Sequence, residues 1–278
     1  MTIGVFLAVI CAALLHAGWN ALIKTGANKQ TAMLVMTVWQ AGTGVAIVSF
    51  RPWPDIAAWP WLLGSGLIHM FYQLFLAYAY EQGDLSRVYP LARGSAPLIV
   101  LLAGLFLLPD AVRPIEYLGV AALGAGIVLM ARGAFRSGES RRLIPFALGS
   151  ACATAGYTLV DGIGARISGD PLTYVSWLLI LAAVTYVPAA VMLRGRSVAV
   201  ASGRIWAKGL AAALASFAAY AIVVWAMTVA PIALVAALRE TSILFAVLIG
   251  WLAFGDRMDR GKGIAATLIV AGVVLTRL

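Results

Sequence analysis

Long apolar stretches separated by short polar breaks follow one another along almost the whole chain. A membrane-spanning helix needs about 20 predominantly apolar residues, and ten stretches of this kind can be placed. Their approximate bounds are 2–24, 31–50, 60–81, 86–108, 114–132, 143–165, 171–193, 205–229, 231–254 and 261–277. The pattern predicts an all-α integral membrane protein with ten transmembrane helices. The first stretch lacks a basic leader and exceeds a signal-peptide core in length, so we expect it to remain as an uncleaved span.

The composition supports this class of protein. Hydrophobic residues make up 63% of the chain and charged residues 11%, whereas soluble globular domains are about half apolar and about a quarter charged. A net charge of +9 would favour nucleic acid as the partner of a soluble protein, but these cations lie mostly between the apolar stretches. Cations in such positions set the orientation of the spans. We therefore expect the lipid bilayer as a partner, and no nucleic acid.

The second half of the sequence repeats landmarks of the first half. At a spacing of 146 residues the matched positions are Arg93 with Arg239, Gly104 with Gly250, Asp110 with Asp256, and AGIVL (125–129) with AGVVL (271–275). The second and seventh stretches show no convincing match. A basic segment with Gly and Ser, 131–142, separates the halves. We predict two diverged copies, 1–135 and 143–278, each with five spans.

An odd number of spans in each copy makes the two copies enter the membrane from opposite sides. Such inverted repeats are the architecture of many secondary transporters. Basic residues support the alternation: apart from Arg93 and Arg239, the side that follows the odd-numbered spans carries Lys24, Lys29, Arg87, Arg132, Arg136, Arg141, Arg142, Arg194, Arg196, Arg204, Lys208, Arg257, Arg260 and Lys262. The opposite side carries Arg51, Arg113, Arg166 and Arg277. By the positive-inside rule the first side is cytoplasmic, which predicts both termini on the extracytoplasmic side.

Two arginines fall inside the predicted spans, Arg93 and Arg239. An arginine near the middle of a span costs roughly 2.5–3.5 kcal/mol, so it should face a partner or a wet cavity. Each has two interpretations, a substrate or gating role, or a structural role in which it caps carbonyl groups or pairs with a carboxylate. Glu240 is next to Arg239, but neighbouring helical positions point about 100° apart. We expect this pair to interact poorly.

Two carboxylates also lie inside spans. Glu240 has no counterpart in the first half, where the matching residue is Gly94. Asp161 follows Thr154, Tyr157 and Thr158 on one face of the sixth span. A carboxylate inside the membrane can hold a proton and release it when the site rehydrates, so both are candidates for a coupling proton. The alternative is a fixed counter-ion.

Polar and aromatic residues form stripes on two further spans. These are His16, Trp19 and Asn20 in the first span, and His69, Tyr72, Gln73 and Tyr80 in the third. Polar faces avoid lipid, and aromatic and amide groups around a cavity suit a small organic solute. We favour cavity lining for the first stripe and interfacial anchoring for Tyr80; the alternative is hydrogen bonding between helices.

Prolines mark places where the predicted helices can break. Pro90 and Pro97 flank Arg93, and breaks of this kind often lie beside transport sites, whereas Pro231 closes a very short connection.

No phosphate-binding glycine loop, His-Glu-x-x-His pattern or nucleophile elbow occurs in the sequence. ATP-driven transport by this chain alone and hydrolytic catalysis are disfavoured, and no cofactor or metal is expected.

The sequence resembles the EamA-type drug/metabolite transporter family in three features. It has ten spans in two copies, and its first span ends in HAGWNALIK. Its fourth and ninth spans run through Gly104 or Gly250 to a terminal Asp. The family usually has Glu where this chain has Asp110 and Asp256. The resemblance implies a helical basket around a central cavity lined by both halves, and alternating access. It implies no particular substrate.

Three hypotheses about the function remain open. The leading hypothesis is a permease of the inner membrane that moves a small polar solute, anionic or zwitterionic, which Arg93 and Arg239 attract and which Glu240 or Asp161 tunes. The second is an exporter of cationic amines or drugs recognised by Glu240 and Asp161. The third is a non-transporting scaffold or accessory protein. Substrate identity, direction, coupling ion and oligomeric state do not follow from the sequence.

Overall fold

The computed structural model describes residues 1–24, 29–82, 96–108, 110–135, 143–254 and 260–277. Within these ranges the chain forms α-helices, two short 3-10 turns and no β-strand. The helices are α1 (Ile3–Lys24), α2 (Lys29–Val48), α3 (Trp59–Gln82), α4 (Ala96–Leu107), α5 (Pro114–Phe135), α6 (Leu143–Ser168), α7 (Pro171–Arg194), α8 (Gly203–Val229), α9 (Ile232–Arg239), α10 (Ser242–Phe254) and α11 (Arg260–Leu275).

Each predicted span contains helix where the structure describes it. Among the described residues, six segments are long and apolar enough to cross a membrane: Ile3–Ile23, Gln30–Val48, Ile56–Ala79, Pro171–Arg194, Gly203–Val229 and Ile232–Leu252. The shorter apolar helix Pro114–Leu129 lies within α5. The fourth predicted span is described only from Ala96 onward. The chain is therefore a multi-pass α-helical membrane protein.

The ninth predicted span, 231–254, is interrupted. After α9 ends at Arg239, Glu240 has φ −73° and ψ −5°, and the backbone N–H groups of Glu240 and Thr241 donate to the carbonyls three residues earlier. The Thr241 hydroxyl also donates to the carbonyl of Leu238, at 2.7 Å. Side-chain competition for a helical carbonyl disturbs the regular ladder, and α10 then begins at Ser242.

Both ends of α7 follow helix-capping rules. The Asp170 carboxylate accepts the backbone N–H groups of Leu172 and Thr173, each at 3.2 Å, and Pro171 occupies the first helical position, where no N–H is required. The other end is closed by Gly195, at φ 77°, a left-handed conformation that glycine adopts without strain. Asp170 thereby fixes the start of the helix that brings Tyr174 into the interior.

Helices of the first half pack mainly against helices of the second half. The contacts come in pairs: α1 with α8 and α3 with α6, α2 with α8 and α3 with α7, α1 with α10 and α4 with α6. Two further contacts, α2 with α7 and α5 with α11, join spans at matching places of the two halves. Exchanging the halves leaves this set of contacts unchanged.

The α5–α11 contact shows how closely two backbones approach. A Cβ atom on Gly272 would lie 2.6 Å from the carbonyl oxygen of Gly119, and one on Gly126 would lie 2.8 Å from that of Ala265. Because Gly119 meets the later part of α11 and Gly126 the earlier part, the two helices are antiparallel. Small residues allow such approaches between membrane helices.

Candidate functional site in the bundle interior

Asp161 of α6 is fully buried and surrounded by hydroxyl groups. Its Oδ1 accepts the hydroxyl of Tyr174 at 3.2 Å, and its Oδ2 accepts the hydroxyl of Tyr220 in a short hydrogen bond. Among the described residues no cation lies within ion-pair distance of Asp161; Arg239 acts on it electrostatically from farther away. Hydroxyl groups of two other helices, α7 and α8, thus hold one buried carboxylate.

His69 lies one helical turn after Ser65 and is also buried. Its Nδ1 is 3.1 Å from the Ser65 hydroxyl oxygen and 3.0 Å from the Ser65 carbonyl oxygen. The imidazole stacks on the Tyr157 ring, with centroids 4.2 Å apart, and meets the rings of Tyr72 and Tyr220 edge-on. The structure therefore brings together His69, Tyr72, Tyr157 and Asp161, four of the residues that the sequence indicated.

Arg239 and Glu240 form a buried ion pair at the end of α9. Nε and Nη2 of Arg239 donate to Glu240 Oε1 at 3.1 and 3.0 Å, and the side chains are 5% and 0% exposed. The expectation that these neighbours interact poorly is wrong, because the helix ends at Arg239 and the backbone no longer separates the side chains by a full helical step. The guanidinium carbon lies 5.9 Å from the Tyr157 ring centroid, within cation–π range.

The stripe on α1 lies in a different environment. Trp19 Nε1 donates to His16 Nδ1 at 3.2 Å, and Asn20 Nδ2 donates to the His16 carbonyl at 2.7 Å. Trp19 packs in an apolar cluster with Met33 and Tyr186. Tyr72 packs against the same cluster and so lies between this stripe and the Asp161 site. A cavity-lining role for the stripe stays a prediction.

Gln73 accepts the Thr37 hydroxyl at 3.5 Å, the limit of a hydrogen bond, and belongs to the buried polar face of α3. Pro231 caps α9 directly after the end of α8, as predicted. Arg93, Pro90 and Asp256 lie outside the described residues, as does the side chain of Tyr80. Their predicted roles stay predictions.

Sequence reasoning missed two residues that hold Asp161, Tyr174 and Tyr220. Single hydroxyl groups on apolar helices usually bond to their own backbone or anchor a helix at the interface, so they carry little signal. No spacing within one helix could have found them, because Tyr174 and Tyr220 lie on two helices other than the one that carries Asp161.

A second set of polar contacts joins the C-terminal end of α6 to Asp110 and to the connection between α8 and α9. Arg166 donates to both carboxylate oxygens of Asp110, at 2.7 and 3.1 Å, and to the carbonyls of Met227 and Ala230, at 2.8 and 3.0 Å. Asp110 also accepts the backbone N–H of Ile232 at 2.8 Å. The repeated carboxylate Asp110 thus joins the first half to the α8–α9 connection of the second.

The other arginines on this side of the bundle also have partners. Arg51 pairs with Asp170 at 2.6 Å, Arg113 with Glu116 at 2.8 Å, and Arg277 donates to the Met1 carbonyl at 2.7 Å. Partial burial of Asp170 opposes ionisation, but hydrogen bonds from Thr173 and Arg51 outweigh it and hold the pKa of this carboxyl below its ordinary value. We call these contacts, with Arg166–Asp110, the rim pairs.

The fold defines the class of protein: a multi-pass helical bundle in which the two halves pack against each other and charged side chains are buried. The EamA-like transporter family matches residues 2–132 and again residues 141–278, and the chain belongs to this family, as its sequence indicated. A crystal structure of a protein with 19% sequence identity has the same fold, with a TM-score of 0.79 over 99% of this chain and 98% of the other. No curated protein matches the chain.

Proposed function

We propose that this protein is a secondary transporter that moves a small zwitterionic solute, such as an amino acid or an aminophosphonate, across the inner membrane by alternating access. Membership of the EamA-like transporter family supports the transport class. The observation that carries the substrate class is the placement of buried opposite charges, Arg239 with Glu240 and the separate Asp161, around the Tyr157 ring and its neighbours.

Alternating access by inverted repeats is supported by the packing. The paired contacts between the halves are those expected when a pseudo-two-fold axis relates them. The antiparallel approach of α5 and α11 at Gly119, Gly126 and Gly272 fits an axis in the membrane plane. In such transporters the substrate site lies near the repeat interface, and the helix that carries Asp161, α6, packs against α3 and α4 of the first half.

A zwitterion suits this interior better than an anion. Arg239 is already compensated by Glu240, so a simple anion would add negative charge beside two buried carboxylates. A zwitterion can place its acidic group against a guanidinium and its ammonium group against a carboxylate and ring faces. Arg93 remains the second proposed anion-binding residue.

The transport proposal is tested in proteoliposomes with purified protein. We expect vesicles preloaded with a mixture of the standard amino acids and 2-aminoethylphosphonate to take up a radiolabelled sample of the same mixture by exchange. Arg239→Gln and Arg93→Gln should each reduce this exchange, whereas Arg196→Gln, a change of an exposed arginine, should not. Absence of exchange by the unaltered protein overturns the zwitterion proposal. Normal exchange by both altered proteins overturns the anion-binding role.

A cationic substrate has one observation in its favour, since Glu240 neutralises Arg239 and leaves Asp161 as the charge without an ion-pair partner among the described residues. Competition separates the two. Inhibition of the exchange by simple amines but not by acids supports cation transport, whereas inhibition only by molecules that carry both charges supports the zwitterion.

The proposed orientation places both termini and the rim pairs outside the cell. It is tested with single cysteines in a protein from which Cys11 and Cys152, both exposed, have been removed. Asp55→Cys should react with an impermeant maleimide on intact cells, and Arg196→Cys only after permeabilisation. The reverse pattern means the opposite orientation.

A further inference from the structure

A groove on the outer surface of the bundle lies between the start of α7 and the last turns of α8. Its volume is about 360 Å³, within the range of roughly 300–1,000 Å³ that is usual for sites of small molecules. The lining residues are Asp170, Pro171, Leu172, Ala221, Ile222 and Trp225. The groove shares no residue with the interior site around Asp161.

The groove runs from the end of the spans toward the middle of the membrane. Asp170 directly precedes α7, and α8 ends at Val229, so this end of the groove is at the level of the lipid headgroups. Trp225 is four residues before the end of α8 and 41% exposed, a position typical of tryptophan at the membrane interface. Ile222 lies about 10 Å deeper than Val229, at 1.5 Å per residue. A lipid molecule spans the same two levels.

One ion pair, Arg51–Asp170, stands at the headgroup end of the groove. The two side chains are 2.6 Å apart and 39% and 33% exposed, so both remain accessible. Nη1 of Arg51 donates to Asp170, whereas Nε and Nη2 of Arg51 have no hydrogen-bond partner among the described residues. A guanidinium group often binds a phosphate through two parallel N–H donors. The groove therefore presents a cationic and an anionic group side by side.

We propose that this groove binds one phospholipid with an ammonium-bearing headgroup, phosphatidylethanolamine, with its phosphate against Arg51, its ammonium group against Asp170 and an acyl chain along Ile222 and Trp225. The four charges alternate in sign and their sum is zero, so no buried or interfacial charge is left uncompensated. The site is separate from the transport site, and the proposal holds whichever solute the protein moves.

Two other headgroups fit this end of the groove less well. Phosphatidylcholine carries the same charges, but three methyl groups replace its N–H donors and keep its positive charge farther from the carboxylate of Asp170. Phosphatidylglycerol has the phosphate without an ammonium group, and would bring a negative charge beside Asp170 with no new cation. The alternative is an apolar surface that contacts any lipid, and it predicts no preference among the three.

The test is native mass spectrometry of the purified, delipidated protein with an equimolar mixture of the three lipids. All three carry dioleoyl chains, so only the headgroups differ. We expect about tenfold more bound phosphatidylethanolamine than either of the others, since one hydrogen bond to a charged group accounts for a difference of this size. Equal binding of the three lipids, or a preference for phosphatidylglycerol, overturns the proposal.

Two altered proteins separate the roles of the two charges. Asp170→Asn should remove the preference for phosphatidylethanolamine, and because asparagine also caps helices, the start of α7 should be kept. Arg51→Gln should lower the binding of all three lipids. The matched control is Arg113→Gln, which breaks another rim pair but does not line the groove, and it should change neither result. An unchanged preference in Asp170→Asn protein contradicts the proposed ammonium contact, and unchanged binding in Arg51→Gln protein contradicts the phosphate contact.

A third altered protein tests where the lipid lies. Ala221→Phe fills the groove without touching either charge, and should lower the binding of all three lipids about tenfold. Unchanged binding by folded Ala221→Phe protein places the lipid elsewhere and overturns the proposal. Circular dichroism during heating establishes whether each protein is folded. If Ala221→Phe does not fold, the result with Asp170→Asn decides.

Discussion

Asp161 and Arg166 both lie on α6, little more than one turn apart, yet their surroundings differ in kind. Arg166 at the rim meets an opposite charge, Asp110, and two backbone carbonyls. Asp161 in the interior meets only hydroxyl groups at hydrogen-bonding distance among the described residues. Three of the rim pairs, Arg51–Asp170, Arg113–Glu116 and Arg166–Asp110, are ion pairs whose charges are neutralised locally. Asp161 has no ion-pair partner among the described residues. We propose that this difference separates residues that stabilise the fold from residues of the proposed solute site.

The largest expected effect is at the rim. Asp110→Asn leaves Arg166 partly buried without its anion and weakens the contact with the α8–α9 connection. Removing one partner of a buried ion pair costs about 3–5 kcal/mol, and because Arg166 is 27% exposed we expect about 2–3 kcal/mol. Equilibrium denaturation in mixed detergent micelles measures it. Adding Arg166→Gln to the Asp110→Asn protein should recover part of the lost stability. If Asp110→Asn alone costs less than about 0.5 kcal/mol, the ion pair does not stabilise the fold.

The spans were predictable because a bilayer allows few solutions. Every backbone polar group in lipid must be satisfied within a helix, so runs of about 20 apolar residues had to be spans. The matched positions such as Gly126 and Gly272 also revealed the duplication. The break in the ninth span was not predictable, since it depends on the local geometry at Glu240 and on the Thr241 hydroxyl.

The site was predictable only in part. Asp161, Tyr157 and His69 stand out because polar groups inside spans avoid lipid, and they do meet. Their partners could not be found in the same way, because Tyr174 and Tyr220 come from two other helices whose neighbours depend on the three-dimensional packing. The spacing of His16, Trp19 and Asn20 suggested a cavity, but the same spacing allows the bonds within α1 that the structure shows.

An intermediate effect is expected for the hydroxyl donors of the interior. Tyr220→Phe removes one hydrogen bond to the carboxylate of Asp161 and leaves the ring contacts in place. Hydrogen bonds to charged groups contribute about 1.5–3 kcal/mol, so we expect a loss of about 1.5 kcal/mol when Asp161 is ionised. The loss should shrink when the pH is lowered far enough to protonate Asp161. An equal loss at all pH values would contradict this interpretation of the hydroxyl cluster.

A smaller effect is expected at the start of α7. The pKa of Asp170 is lower in the folded protein than in the unfolded chain, so the folded state favours the ionised form. This stability is fully present above the unfolded value of about 3.9 and is lost as the pH falls through the folded value. Because Arg51 and Asp170 are 39% and 33% exposed, we expect less than about 1 kcal/mol. Denaturation between neutral pH and pH 3 measures it, and Asp170→Asn should reduce the pH dependence by the share that Asp170 contributes.

The smallest effect on stability is expected at Asp161. Asp161→Asn makes the same chemical change as Asp110→Asn, but it leaves no cation without its ion-pair partner among the described residues, and the amide oxygen still accepts a tyrosine hydroxyl. Removing a buried charge also removes its desolvation penalty. We expect a change within about 0.5 kcal/mol of zero, or a gain, against the loss at Asp110. Denaturation of both proteins under one condition makes the comparison. If Asp161→Asn lowers the free energy of unfolding as much as Asp110→Asn does, both carboxylates stabilise the fold, and the proposal that Asp161 acts in transport is contradicted.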